Sequence, residues 1–176
     1  MTVRATVGIY AQTFWRKSRT AIGLRWSVII LLLPAAVCLA AGSALRLVVP
    51  MRMLCGWKGN SLGAVALVPL ASEAQRRRAQ AIKSAVRIVS QYTWYRSDCY
   101  PQALASMALA RFMCIPYALH LGVASDRSSE ATGGIRAHAW IVSGRVSMAG
   151  KNISFRDFVS ISCWTNVEIV ASANQA

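Results

Sequence analysis

Between Arg25 and Arg46 the chain carries no charged residue: Trp26 to Leu45 reads WSVIILLLPAAVCLAAGSAL. A helix of roughly twenty apolar residues is long enough to cross a bilayer. This segment must therefore span a membrane or find apolar cover against protein or a lipid surface. A secretory signal fits poorly, because the stretch ahead of it runs from Met1 to Arg25 and contains Phe14 and Trp15 in place of a short charged start. Pro34 falls inside the run and Gly42 with Ser43 follows, which weakens an unbroken helix, although membrane helices tolerate such residues better than soluble ones. Arg16, Arg19 and Arg25 before the run and Arg46 and Arg52 after it leave the charge-asymmetry rule silent on orientation. Burial or interfacial docking is expected ahead of spanning. The expected location is the cytoplasm, with any membrane association made through residues 26–45.

The chain of 176 residues has room for one domain with a true core and an extra element at one end. Twenty Lys and Arg against six acidic residues give a net charge of +14, which concentrates anionic partners such as acidic peptides or a membrane surface. The basic residues are spread thinly, apart from Arg76, Arg77 and Arg78, without interleaved aromatics, so no nucleic-acid partner is expected. The five cysteines, Cys38, Cys55, Cys99, Cys114 and Cys163, are odd in number and lack CxxC spacing. That pattern suits a reducing compartment, with no disulfide framework, metal site or cofactor implied.

Gly56 to Leu70, rich in small residues, reads as the joint between the apolar part and the rest. From Ser72, a good N-cap followed by Glu73, apolar residues recur at Ala79, Ile82, Ala85, Val86 and Val89 along one helical face. A second helix begins at Ser97 or Asp98 and stops near Pro116. Tyr117, Leu119, Leu121 and Val123 then alternate along a strand, which turns His120 to its other face. Asp126 to Gly134 is a polar loop. Ile135–Val142 and Arg145–Met148 form a hairpin around Ser143-Gly144, and Val159–Trp164 and Val167–Val170 are further strands. Helices first and antiparallel strands after make an α+β arrangement. The expected division is an apolar helical extension over residues 1–70 and a catalytic domain over residues 71–176.

Helix N-termini stabilise thiolates through unpaired N–H groups and the positive end of the dipole. Cys99, in the first turn of the second helix, has that placement. Cys38 lies in the apolar run, Cys114 is near a helix end where the dipole has the wrong sign, and Cys163 sits in a strand; each reads as small apolar filler. The chain has two histidines. His138 lies between Ala137 and Ala139, with Trp140 on its face of the strand, and is the better base; His120 is the competitor. A lone strand histidine is more often structural than catalytic, so the residues alone leave this pairing open.

The stretch SDCYPQALASMALARFMCIPYALHLGVA, a spacer, and then RAHAWIVSGRV resembles the core of the transglutaminase-like leader peptidases of lasso-peptide biosynthesis, which include the microcin-processing B proteins. The resemblance covers about residues 74 to 160 and rests on Cys-x-Pro-Gln-Ala-Leu, Leu-x-Leu-Gly-Val and Ala-His-Ala-Trp. It implies a transglutaminase-like (papain-like) core of helices packed on a small antiparallel sheet, preceded by the apolar helical extension. It also implies Cys99 as nucleophile and His138 as general base. The third position departs from the pattern. A Ser143-Gly144 loop pairs Val142 with Arg145 and sets His138 opposite Ala149, where many relatives carry an aspartate. Asn152 is then the expected orienting residue, with Asp157 a more distant candidate.

The resemblance implies peptide cleavage at the leader–core junction. Cys99 attacks the carbonyl, His138 protonates the departing amine, and water hydrolyses the thioester. The oxyanion would meet the Cys99 N–H and a second donor that the sequence leaves open, with Gln91 and Trp94 as upstream candidates. The implied partners are the precursor peptide, a separate leader-recognition protein, since no β-rich module precedes residue 72, and an ATP-dependent lasso macrolactam synthetase. Two other readings stay open: a non-enzymatic membrane-associated accessory protein, and a transglutaminase-like amide transferase using the same dyad.

Overall fold

A computed structural model describes residues 26–48, 59–93, 98–125, 134–149 and 158–167. In chain order the elements are α1 (Trp26–Val48), β1 (Asn60–Gly63), α2 (Glu73–Tyr92), α3 (Cys99–Phe112), β2 (Ala118–Ser125), β3 (Ile135–Ser143), β4 (Val146–Ala149) and β5 (Val159–Thr165). The strands form one antiparallel sheet in the order β1-β5-β2-β3-β4. Helices α2 and α3 cover one face of it, and α1 lies across those two helices. The α+β arrangement read from the sequence is the observed one.

Each helix is set by local chemistry. Ser72 caps α2 in a reciprocal box: its hydroxyl accepts from the Gln75 N–H, and the Gln75 side chain accepts from the Ser72 N–H. Ala79, Ile82, Ala85 and Val86 then turn one face into the core. Helix α3 ends without glycine. Cys114 takes the left-handed position with φ 52°, while its N–H and that of Ile115 close back onto the carbonyls of Arg111 and Ala110. The fully buried Ile115 anchors this reversal, so Cys114 is a helix terminator. Ser106 donates from mid-α3 to the Met148 carbonyl of β4 at 3.4 Å, tying helix to sheet.

Helix α1 neither stands apart from the domain nor disappears into it. Val28, Leu31, Ala35, Leu39 and Gly42 recur on one face and are buried; Val28, Leu31 and Ala35 join the core cluster that holds Ile82, Leu104 and Met107. At Gly42 the backbone passes so close to α3 that an added Cβ would lie 3.3 Å from the Pro101 carbonyl oxygen. The opposite face of α1 is open among the described residues.

Two features differ from the sequence reading. β1 lies inside the segment read as a joint. It is a four-residue edge strand paired with the end of β5 and is mostly exposed, so it is held by backbone pairing and leaves no side-chain alternation to read. The hairpin register also differs. Gly144, with φ 53°, is the first residue of a two-residue turn, so Ser143 pairs with Val146 and Val142 with Ser147 rather than Arg145. An irregularity between Ile141 and Val142 then sets Ala149 opposite Ile141, not His138. Val167 follows β5 in a bend, and residues 168–170 of the last expected strand lie outside the described residues.

Candidate active site

The sheet divides the chemistry-bearing residues between two faces. On the inner face Leu119, Ala139 and Ile141 pack into the helical core, and the half-buried Cys99 packs against the same cluster. Cys99 is the first residue of α3, and its N-cap, Asp98, makes no side-chain cap. The Asp98 carboxylate is instead paired with Arg46 from the end of α1. The first-turn N–H groups beside Cys99 are thus left without that carboxylate, which suits them to meet a developing negative charge.

The outer face carries a row of rings. His120 is fully buried and pairs across the strands with Trp140, while His138 pairs with Gly122. The Trp140 indole stacks on the His120 imidazole at 5.3 Å between centroids and on that of His138 at 6.3 Å, and Phe158 lies 5.3 Å from His138. Gly122 makes room for this row: a Cβ there would fall 2.6 Å from the indole and 2.7 Å from the Val159 carbonyl oxygen. The glycine of Leu-Gly-Val and the tryptophan of Ala-His-Ala-Trp are therefore one packing unit.

The two imidazoles differ in how their nitrogens are used. His120 Nε2 lies 2.9 Å from the Leu67 carbonyl oxygen, and Nδ1 lies 3.1 Å from Ser160 Oγ. A carbonyl only accepts, so Nε2 carries the proton and Nδ1 accepts from the serine. Cys163 Sγ is 4.0 Å from the same Nε2, but that nitrogen is already a donor to Leu67 and cannot take the thiol proton. Burial pushes the Cys163 thiol up and the His120 imidazole down. This outer-face cysteine–histidine contact is structural. His138 differs, because its Nε2 is buried and makes no hydrogen bond. Burial, and then the positive charge of Arg136, lower its pKa, so at neutral pH it is an uncharged imidazole with an uncommitted nitrogen.

The structure does not bring Cys99 and His138 into contact. The thiol belongs to the inner cluster, and the imidazole lies with Trp140 and Phe158 on the outer face. At the level of His138 strand β3 pairs with β2, while its described pairing with β4 begins only at Ile141. Asn152, Asp157 and Trp94 lie outside the described residues, and Gln91 is exposed near the end of α2. The row formed by His120, Trp140 and His138 was hidden in the sequence, although the i, i+2 spacing of His138 and Trp140 was its visible half.

A transglutaminase-like superfamily model matches residues 34–163, about three quarters of the chain. This chain belongs to the transglutaminase-like superfamily. The match begins at Pro34, within α1, and contains both Cys99 at the head of α3 and His138 on β3. Comparison with curated proteins and with solved structures returns no match. The superfamily includes cysteine peptidases and amide transferases, two acyl-transfer chemistries that share a thiol nucleophile and differ in the acceptor of the acyl group.

Proposed function

We propose that this transglutaminase-like protein is a cysteine peptidase that removes the leader from a lasso-peptide precursor. The observation that carries the reading is a cysteine at the first position of a helix inside a transglutaminase-like domain, beside N–H groups that its N-cap side chain leaves uncapped. Cys99 forms a thioester with the leader-side carbonyl, and the core peptide departs with its amine protonated. Water then releases the leader. His138 supplies the base, since it is neutral and Nε2 is uncommitted. In that role the β3 backbone at His138 turns its side chain from the outer to the inner face, since a strand side chain changes face only with a change of register or backbone dihedral. Asn152 orients it, and a separate leader-recognition protein presents the peptide to be handed on to an ATP-dependent macrolactam synthetase.

The separation of thiol and imidazole favours a second reading, a non-catalytic accessory protein held at a membrane. One assay decides between them. Purified protein, leader-recognition partner and precursor peptide are incubated and the products weighed by mass spectrometry. A single cut at the leader–core junction, absent in Cys99→Ala and in His138→Ala, is the expected result; a cut that survives Cys99→Ala refutes the peptidase. A single heavier species in place of two fragments identifies an amide transferase.

A further inference from the structure

The outward face of α1 is apolar along its whole length. Trp26, Ile30, Leu33 and Val37 follow at helical spacing and are 79%, 70%, 74% and 61% exposed, and Leu47 and Val48 continue the face. Helix α1 has 23 residues, so this stripe is about 34 Å long at 1.5 Å per residue. No charged side chain interrupts it before Arg46. An exposed apolar surface of this extent marks an interaction site.

Three observations say what covers it. First, the inner face of the same helix is part of the domain core, with Ala35 and Leu39 fully buried. A bilayer crossing would strip that face from α2, whose own sequence carries Arg76, Arg77, Arg78, Lys83 and Arg87. Crossing is incompatible with that packing, whereas a helix lying in the plane of a surface keeps it. Second, Pro34 is exposed and has no N–H, which leaves the Ile30 carbonyl of the preceding turn without its helical partner. That oxygen takes its hydrogen bond from a neighbouring turn, water or a headgroup, which a helix at the lipid boundary can meet. Third, a groove of about 410 Å³ opens where the start of α1 meets α2. It is lined by Ser27, Val28, Leu31 and Met113 on its apolar side and by Arg77 and Arg78 on its basic side. Among the described residues, Arg77 has one weak competitor, a Glu73 oxygen at 3.9 Å.

We propose that α1 lies flat on an anionic phospholipid surface, its outward face sunk among the acyl chains and a lipid phosphate held in the groove by Arg77 and Arg78. The net charge of +14 draws the domain to such a surface. The groove flanks the start of the helix, where Arg77 and Arg78 of α2 stand beside Ser27, Val28 and Leu31. The inference does not depend on Cys99 being a nucleophile.

The test is flotation of the full chain with vesicles of phosphatidylcholine alone or with one third phosphatidylglycerol. Binding is expected with the anionic vesicles, reduced by raised salt, and about tenfold weaker after Leu33→Asp or after Arg77→Glu with Arg78→Glu. These side chains are outside the core, and circular dichroism verifies that the variants fold. Fluorescence quenching by brominated acyl chains should include a component that Trp26→Phe removes. Failure to float with anionic vesicles, or flotation unchanged in both variants, overturns the proposal. So does a dimer in solution that Leu33→Asp dissociates without any lipid binding, since a second copy would then be the occupant.

Discussion

The two faces of the sheet carry the same kinds of side chain and use them differently. On the inner face Cys99 sits at the open end of a helix, where backbone N–H groups point past it. On the outer face Cys163 touches an imidazole, yet that imidazole is locked between Leu67 and Ser160 and the thiol is pushed toward its protonated form. Proximity of sulfur and nitrogen is therefore not what makes a reactive pair. What counts is whether the nitrogen is uncommitted and whether unpaired backbone donors stand beside the sulfur to meet the charge that develops on the substrate. His138 has the free nitrogen and Cys99 has the helix end, one on each side of β3.

The largest effect on this contrast comes from removing the ring that joins the two imidazoles. Trp140→Ala should cost about 3–5 kcal/mol, measured by urea denaturation, because the indole is fully buried between His120 and His138. Gly122→Ala comes next, at about 1–3 kcal/mol, since its Cβ would overlap that indole. If the alanine variant melts with wild type, the indole does not rest on Gly122. In the opposite direction, Cys114→Gly should stabilise by about 1 kcal/mol, because the left-handed φ of 52° costs glycine little.

The histidines add a pH dependence. Burial lowers the pKa of both below the ordinary 6.5, so the unfolded chain binds protons more readily than the fold. Their contribution is fully present above about pH 6.5 and is lost as the pH falls through the folded values. Denaturation midpoints should drop on acidification over that range, and less steeply in His138→Gln. The smallest effect is expected for Arg46→Ala, under about 1 kcal/mol for a half-exposed ion pair. Its more telling readout is Cys99 alkylation, which should slow if the released Asp98 carboxylate turns back to cap α3.

Much of the scaffold was legible because it rests on periodicity and caps. Ser72, the apolar face of α2, the alternation of β2 and the helix start at Cys99 all announce themselves in the residues. The register of the β3–β4 hairpin did not, because it turns on which residue takes positive φ: Gly144 as first rather than second turn residue slides every pair. β1 escaped notice because an edge strand held by backbone bonds needs no pattern of side chains. The apolar run was ambiguous for a different reason. Length and hydropathy cannot show that half of a helix is packed on α2 and α3 while the other half is open.

The superfamily match spans both Cys99 and His138, and the described geometry leaves a sheet between them. A bifunctional alkylator with a three-carbon span, such as 1,3-dibromoacetone, reads that separation directly. The account predicts that the native protein, treated near neutral pH and digested, yields a peptide pair bridged between Cys99 Sγ and a His138 nitrogen, the trace of an imidazole that visits the inner face. A product carrying the reagent on Cys99 alone, with its second arm never joined to His138, would contradict it.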